Sequence, residues 1–419
     1  MSIRILIFAA ILFLLDLYVF QGVKILIQHR SVSFQRIAFW VYWLISAFSI
    51  GTIFMGQWID WHTWNKAYRT YSFALIFVFS FTKVIIGVFM LLDDIIRLFR
   101  LIWVFISTKF FASNAVPVNE PFRITRLNFI IKTGFGIAAI PFFTLIKGMI
   151  SGKYNYKVRP VNLALKNLPS AFDGLKIVQI SDLHTGSFMG TEHLEEAARL
   201  IMEQKPDLIF FTGDLVNDLH TEALPFKEIF QSLKAPHGVY SILGNHDYGD
   251  YYRWPDEHSK HQNLEQLKAF HAEVGWKLLL NEHAYIERGG QKIGLIGVEN
   301  FSGKRNFSRY GSMEVATKNF EAQPVNILLS HDPSHWDYEI RDKYKYVDLT
   351  LSGHTHGFQF GIEIPGLKWS PVQYMYKQWA DLYKEENQYL YVNRGLGFLG
   401  YPGRVGILPE ITVFTLAKA

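Results

Sequence analysis

Apolar residues are spread so unevenly along this chain that no single water-soluble core can hold them. Residues 37–55 contain no charged side chain, and residues 5–20 are interrupted only by Asp16. Residues 72–92 form a third run, with Lys83 near its middle. A shorter fourth run, 134–146, lies between Lys132 and Lys147, whose side chains can snorkel to the interfaces. A helix needs about 20 apolar residues to cross the hydrocarbon core. These runs therefore predict about four transmembrane helices within residues 1–152. Residues 93–111 open with DDIIRLFRLIWVF, and Arg97 and Arg100 there predict a separate amphipathic helix in the interface rather than a fifth span. No small-residue cleavage site follows the first run, so it is read as a span and not as a cleavable leader. Lys and Arg divide nearly evenly between the two sides, so no orientation follows. The expectation is a multi-pass protein of the cell membrane, with the side of its remaining part undetermined.

Asp16 and Lys83 are charges placed inside spans. They can be read as an intramembrane pair, as a polar spot for a lipid headgroup, or as two separate charges near helix ends in a tilted bundle.

The chain has no cysteine, which excludes disulfides, thiolate metal sites and cysteine nucleophiles. Any metal must be held by His, Asp, Glu or Asn, a donor set suited to hard or borderline ions. The net charge of +5 is carried by no basic tract, so no nucleic-acid partner is expected.

Residues 153–419 have a different texture, that of an α/β domain. Strands are predicted at 175–181, 207–213, 238–244, 325–331 and 347–353, with an edge strand at 154–163. Helical spacing occupies 191–204 and 222–233. Each of the five principal strands runs into a polar cluster. In order these are Asp182 and His184, Asp214, Asn245 with His246 and Asp247, His331, and His354 with His356. Strand C-termini are where α/β folds place their sites. Residues two apart in extended chain point the same way, so the spacing puts Asp182 beside His184 and lets His354 and His356 face one site together. Such an inventory fits two divalent ions. Asp214, on a tight Gly-Asp turn, suits a bridge between them, and Asn245 adds a neutral oxygen that limits negative charge beside an anionic substrate.

At these residues the chain resembles the calcineurin-like metallophosphoesterase superfamily, through SDLHTG, TGDLVND, LGNHD, LSHD and SGHTHG. The closing segment, NRGLGFLGYPGRVGILPEITVFTL, resembles its membrane-bound or exported bacterial phosphohydrolases, a subgroup with enzymes like the UDP-diacylglucosamine pyrophosphohydrolases. The resemblance implies a two-sheet α/β/β/α sandwich. It also implies two divalent ions (Mn, Fe or Zn), one on Asp182, His184, Asp214 and His356, the other on Asp214, Asn245, His331 and His354. His246 would then act on the leaving oxygen, as general acid or charge stabiliser.

Departures from the family pattern raise their own questions. Some relatives carry an Asp three residues after the bridging one, to orient the catalytic His; here Asn217 and Asp218 follow instead. Phe358 stands where close relatives have Gly, either as an apolar ring at the mouth or as packing. Arg394 is either a phosphate clamp or a loop-stabilising arginine. Asp247 and Asp332 are expected to support neighbouring ligands. His220, His237, His258, His271, His283 and His335 are expected to be ordinary surface or core histidines.

The resemblance implies hydrolysis by direct attack of metal-activated hydroxide on a phosphodiester, pyrophosphate or phosphomonoester, with no covalent enzyme intermediate. A lipid-linked substrate ranks first, a soluble nucleotide second and a cell-wall polymer phosphate third. The rival class is a membrane scaffold that keeps the fold without catalysis. A transporter or receptor, resting only on Asp16 and Lys83, is the weakest alternative.

Overall fold

The computed structural model describes residues 3–59, 63–110, 120–305 and 307–419. Contacts divide the chain into two units, Met1–Lys147 and Gly148–Ala419.

In the first unit lie α1 (Ile3–Ile27), α2 (Val32–Trp58), α3 (Lys66–Phe110) and most of α4 (Glu120–Ile150). Each contains a stretch long and apolar enough to cross a membrane. Where α2 turns inward it buries Ser46, Ser49 and Thr52, the small residues that let helices approach closely in lipid. Asp16 and Lys83 are buried and paired, with Lys83 Nζ 2.5 Å from Asp16 Oδ1. Lys83 also donates to Ser46 Oγ at 3.2 Å, and the Tyr42 hydroxyl donates to the Asp16 carbonyl at 2.8 Å. This is an intramembrane pair; the reading as two separate charges is overturned.

The separate interfacial helix expected at 93–111 does not form. Its described part, to Phe110, continues α3 without a break. No proline interrupts this sequence, and Arg97 bonds Asp93 one turn back at 2.7 Å, which carries the helix through the charged cluster.

The second unit contains two six-stranded sheets packed face to face. The first has the order β1 (Lys157–Leu165), β14 (Glu410–Lys418), β2 (Lys176–Ile180), β3 (Leu208–Phe211), β4 (Val239–Ser241), β5 (Lys277–Leu278). The second has the order β12 (Asp381–Glu385), β13 (Gln388–Val392), β9 (Leu349–Ser352), β8 (Asn326–Leu329), β7 (Gln291–Gly297), β6 (Glu282–Arg288). Strands β2 to β5 run parallel, as do β7, β8, β9 and β13. A separate antiparallel hairpin joins β10 (Ile362–Ile364) to β11 (Leu367–Trp369).

Alternation along the strands assigns each side chain to a layer. Ile177, Leu208 and Phe210 point to the space between the sheets, where they meet Leu295, Ile327 and Leu349. Val178, Ile209 and Phe211 point outward under α5 (Glu192–Glu203) and α7 (Glu257–Glu273), against Leu194, Ile201 and Phe270. Ile296 and Leu328 pack outward against Trp336 and Ile340. Covered on both faces, these strands read as continuous apolar runs. The α/β/β/α architecture is as expected. In 222–233, the α-helix itself, α6, spans only Lys227–Ser232, preceded by 3₁₀ turns that include Pro225.

Candidate metal centre

The parallel strands β2, β3 and β4 of one sheet and β8 and β9 of the other end at the same edge, where the sheets lean together. Gly353 permits the approach: a Cβ there would come within 2.0 Å of Ser181 Oγ and 2.2 Å of Asp182 Oδ2. The Asp182 carboxylate, from the first sheet, accepts the backbone N–H of His354, from the second, at 2.9 and 3.0 Å.

Asp182, His184, Asp214, His354 and His356 all adopt positive φ, between 47° and 71°. For residues with a Cβ this conformation costs roughly 1–2 kcal/mol each, and such strain gathers at functional sites. It also corrects one expectation. The extended geometry assumed for the two-apart pairs is absent; Asp182 and His184 still share one ligand group, and His354 and His356 face one cavity from its two adjoining groups.

Among the described residues, two groups of converging ligand atoms result: Asp182, His184 and His356, and Asp214, His331 and His354. In the first, His184 Nε2 and His356 Nε2 are 3.0 Å apart, and Asp182 Oδ1 is 3.2 Å from His356 Nε2. In the second, His354 Nδ1 lies 3.3 Å from His331 Nε2 and 2.8 Å from Asn245 Oδ1. Asp214 Oδ2 stands between the groups, 3.5 Å from His184 Nε2 and 3.2 Å from His331 Nε2. Imidazole nitrogens and carboxylate oxygens gathered this closely are ligands for hard or borderline ions, so the donor set fits two ions sharing Asp214.

Burial opposes ionisation of Asp182 and Asp214, yet the surrounding imidazoles, His356 for one and His331 for the other, hold both carboxyls well below their usual range. Burial pushes His184 well down and lowers His354. It works against the charged form of His331 too, but Asp214 outweighs it and pushes that ring up to about 10. The negative field at Asp214 thus draws positive charge to the point between the groups.

Neighbours fix the ring orientations. His331 Nδ1 donates to the Thr212 carbonyl at 2.7 Å, which turns Nε2 into the site. The Tyr376 hydroxyl lies 2.8 Å from His354 Nε2, which leaves Nδ1 for the second group. Asp247 accepts backbone N–H groups from Asp214, Leu215, Val216 and Gly244 and so ties two site loops together. Its burial and the nearby Asp214 charge, partly offset by those N–H bonds, push its carboxyl up to about 7. Asp332 is buried, accepts from Ser334 N–H and from the Tyr376 hydroxyl, and so supports His354 indirectly.

His246 is partly exposed and lines a cavity of about 320 Å³ with Asp214, Asn245, His354 and His356. Its Nδ1 donates to the backbone carbonyl of Asn217 at 2.8 Å. The orienting partner sought in the side chains of Asn217 or Asp218 is therefore a peptide oxygen, which any residue at 217 could supply. The same cavity is lined by Phe358, which is 55% exposed at its rim; the packing reading of this ring is overturned.

Arg394 is not a phosphate clamp. It is fully buried, bonded to Glu410 at 2.6 Å and to Glu363 and Asp381 at 2.7 Å each. Arg404 was missed by sequence reasoning. Wholly buried, it donates to the carbonyls of Arg394, Gly395 and Gly397 and reaches the His356 ring at 3.4 Å. Tyr251 and Tyr376 were also missed, since a lone tyrosine carries no signal until the fold brings it to the site. Of the histidines outside the motifs, His271 and His335 are buried on Ser241 and Ser330, and none joins either group.

Comparison with known proteins agrees with this geometry. The family described as "Calcineurin-like phosphoesterase" matches residues 175–358, and "Probable Calcineurin-like phosphoesterase, transmembrane domain" matches residues 2–153. "Uncharacterized metallophosphoesterase YkuE" of Bacillus subtilis is 32% identical over 257 residues, 59% of this chain and 81% of that one. "Uncharacterized metallophosphoesterase" of Aquifex aeolicus is 29% identical over 267 residues, 63% and 92% of the two chains. The zebrafish (Danio rerio) "Transmembrane protein with metallophosphoesterase domain" is 28% identical over 283 residues, 65% of this chain and 60% of that one. The chain belongs to the calcineurin-like metallophosphoesterases. Within them it combines that domain with a four-helix transmembrane region, as a multi-pass membrane protein.

Proposed function

We propose that this protein is a dinuclear-metal phosphohydrolase. Asp182, His184, Asp214 and His356 would hold one ion, and Asp214, Asn245, His331 and His354 the other. The observation that carries this reading is the single Asp214 oxygen standing between two convergent groups. Divalent ions bound there would neutralise phosphoryl oxygens and lower the pKa of water.

The chain's own groups supply the remaining work. With Nδ1 committed to the Asn217 carbonyl, His246 offers Nε2 as the atom that passes a proton to the departing oxygen. Water bonds to phosphorus as the leaving oxygen departs, with no covalent enzyme intermediate. Asn245, held by Tyr251, contributes a neutral oxygen and adds no repulsion toward an anionic substrate. Phe307, Phe358, Met375 and Leu399 give the cavity an apolar rim. That rim, on a membrane-anchored protein, favours a lipid-linked phosphodiester or pyrophosphate over a soluble nucleotide.

The test is hydrolysis of bis(p-nitrophenyl) phosphate by detergent-purified full-length protein, metal-free and with Mn, Fe or Zn. Turnover only with metal, abolished in Asp214→Asn, is the expected result. A folded protein that binds fewer than two ions and cleaves no phosphoester with any metal overturns the reading in favour of a non-catalytic scaffold.

A further inference from the structure

The β10–β11 hairpin is an unusual object for a water-facing surface. Glu363, at the centre of β10, turns inward to Arg394 and Arg159, at 2.7 Å from each. Because side chains alternate along a strand, that ion pairing drives Ile362 and Ile364 outward, 45% and 58% exposed. Across the hairpin they stand opposite Trp369 and Leu367. The 3₁₀ turn that follows, Pro371–Tyr374, adds Tyr374 at 78% exposure, and Trp369 Nε1 donates to the Tyr374 hydroxyl at 3.4 Å. A two-stranded ribbon is marginal by itself in water, and this one shows its apolar side to solvent.

Two features of this unit bear on what could cover that side. The first is its place beside the membrane exit. The last apolar span ends at Ile150. The residues at its end pack on the segment 404–405: Arg404 N–H donates to the Gly148 carbonyl at 3.3 Å. A Cβ on Gly148 would lie 2.7 Å from the Val405 side chain, and one on Gly152 2.0 Å from the Arg404 carbonyl. Val405 then pairs with Phe360, through Val405 N–H to the Gln359 carbonyl and Gly361 N–H to the Val405 carbonyl, both 2.8 Å. The hairpin begins at the next residue, so one short stretch of chain separates its root from the point where the chain leaves the bilayer.

The second feature is composition. An apolar tip flanked by Trp369 and Tyr374 is the pattern of side chains that settle at the headgroup level.

We propose that the β10–β11 hairpin and the adjoining turn dip into the interface of the membrane that the chain itself spans. Phe358 and Met375, at the rim of the metal-site cavity, flank the same segment, so the mouth opens at headgroup depth. The docking requires no catalytic step; only its consequence, direct access for a bilayer-resident phosphoester, rests on the hydrolase reading.

The absence of cysteine allows single-site labelling. Ile364→Cys and Leu367→Cys, on opposite strands and both exposed, would each be labelled with an environment-sensitive fluorophore in the full-length protein in lipid nanodiscs. Val315→Cys, exposed on another face of the unit, and Ile150→Cys, at the end of the span, serve as references. Lipids carrying a nitroxide high on the acyl chain should quench 364 and 367 severalfold more than 315, and comparably to 150. Quenching at 364 and 367 no greater than at 315 overturns the proposal. Blue-shifted emission without lipid quenching overturns it as well, because a second protein surface would then cover the hairpin. Neither outcome depends on turnover, so failure of the hydrolase reading would remain distinguishable.

Discussion

This molecule buries charge in two places and resolves the cost in opposite ways. In the transmembrane unit Asp16 and Lys83 neutralise each other, with Ser46 taking a remaining donor. At the metal centre two carboxylates and four imidazoles converge on two small gaps, a donor set suited to added cations. The first cluster is self-sufficient and stabilises a packing. The second gathers ligand atoms from separate loops, and the left-handed backbone at five of its members holds them there. A buried cluster of convergent ligand atoms is therefore a better pointer to chemistry than a single buried ion pair.

The largest expected effect breaks the second cluster alone. Asp214→Asn should bring metal-dependent hydrolysis below detection, and His246→Ala should lower kcat by about 10²–10⁴-fold. Both should leave thermal unfolding of the transmembrane unit unchanged. Activity retained in Asp214→Asn would remove the bridge from the account.

The Asp16–Lys83 pair should behave in reverse. Asp16→Asn or Lys83→Met alone leaves one buried charge without its partner, at a cost of about 3–5 kcal/mol. The double variant should recover most of that loss. A detergent denaturation cycle measures the coupling, and additive losses would show that the two charges do not depend on each other. Initial rates per folded molecule should stay at the wild-type level throughout.

Metal removal sharpens the contrast further. At a free metal concentration of 100 times Kd, binding should stabilise the second unit by about 2.7 kcal/mol. Chelation should lower its Tm and Mn should restore it, with the Asp16 and Lys83 variants responding as the wild type does. A Tm indifferent to chelator would argue against ions at the site.

The last effect concerns His271, a buried ring outside both clusters. Burial depresses its pKa to about 3 in the folded protein, against about 6.5 when unfolded. Between those values the unfolded chain holds the proton and the folded one does not. Stability is full above about pH 6.5 and falls with acidification, by at most about 1.4 kcal/mol per pH unit. His271→Gln should flatten the dependence of Tm on pH from 6.5 to 4, and an unchanged slope would assign it to other groups.

Much of this was legible in the chain because it is carried by local pattern. Four apolar runs, five strands ending in polar clusters and the seven ligand candidates with His246 are linear features. Periodicity and motif spacing record them directly. Pairing is different. Whether Asp16 meets Lys83, whether Arg394 faces phosphate or three carboxylates, and whether Asn217 orients His246 by side chain or carbonyl all depend on neighbours distant in sequence. The break expected at residue 93 failed for a related reason: charge marks an interface, but only a backbone obstacle ends a helix, and none is present there.

Residue types in order thus set the inventory: a membrane part, an α/β part, and a ligand set with no thiolate. Tertiary structure decided the distribution. Left-handed turns sent His354 and His356 to different groups, the close approach at Gly353 brought the two sheets together, and Glu363 turned a hairpin's isoleucines outward. The physical reason is that residue type sets what an atom can donate or accept, whereas direction and distance arise only when remote segments share one packed space.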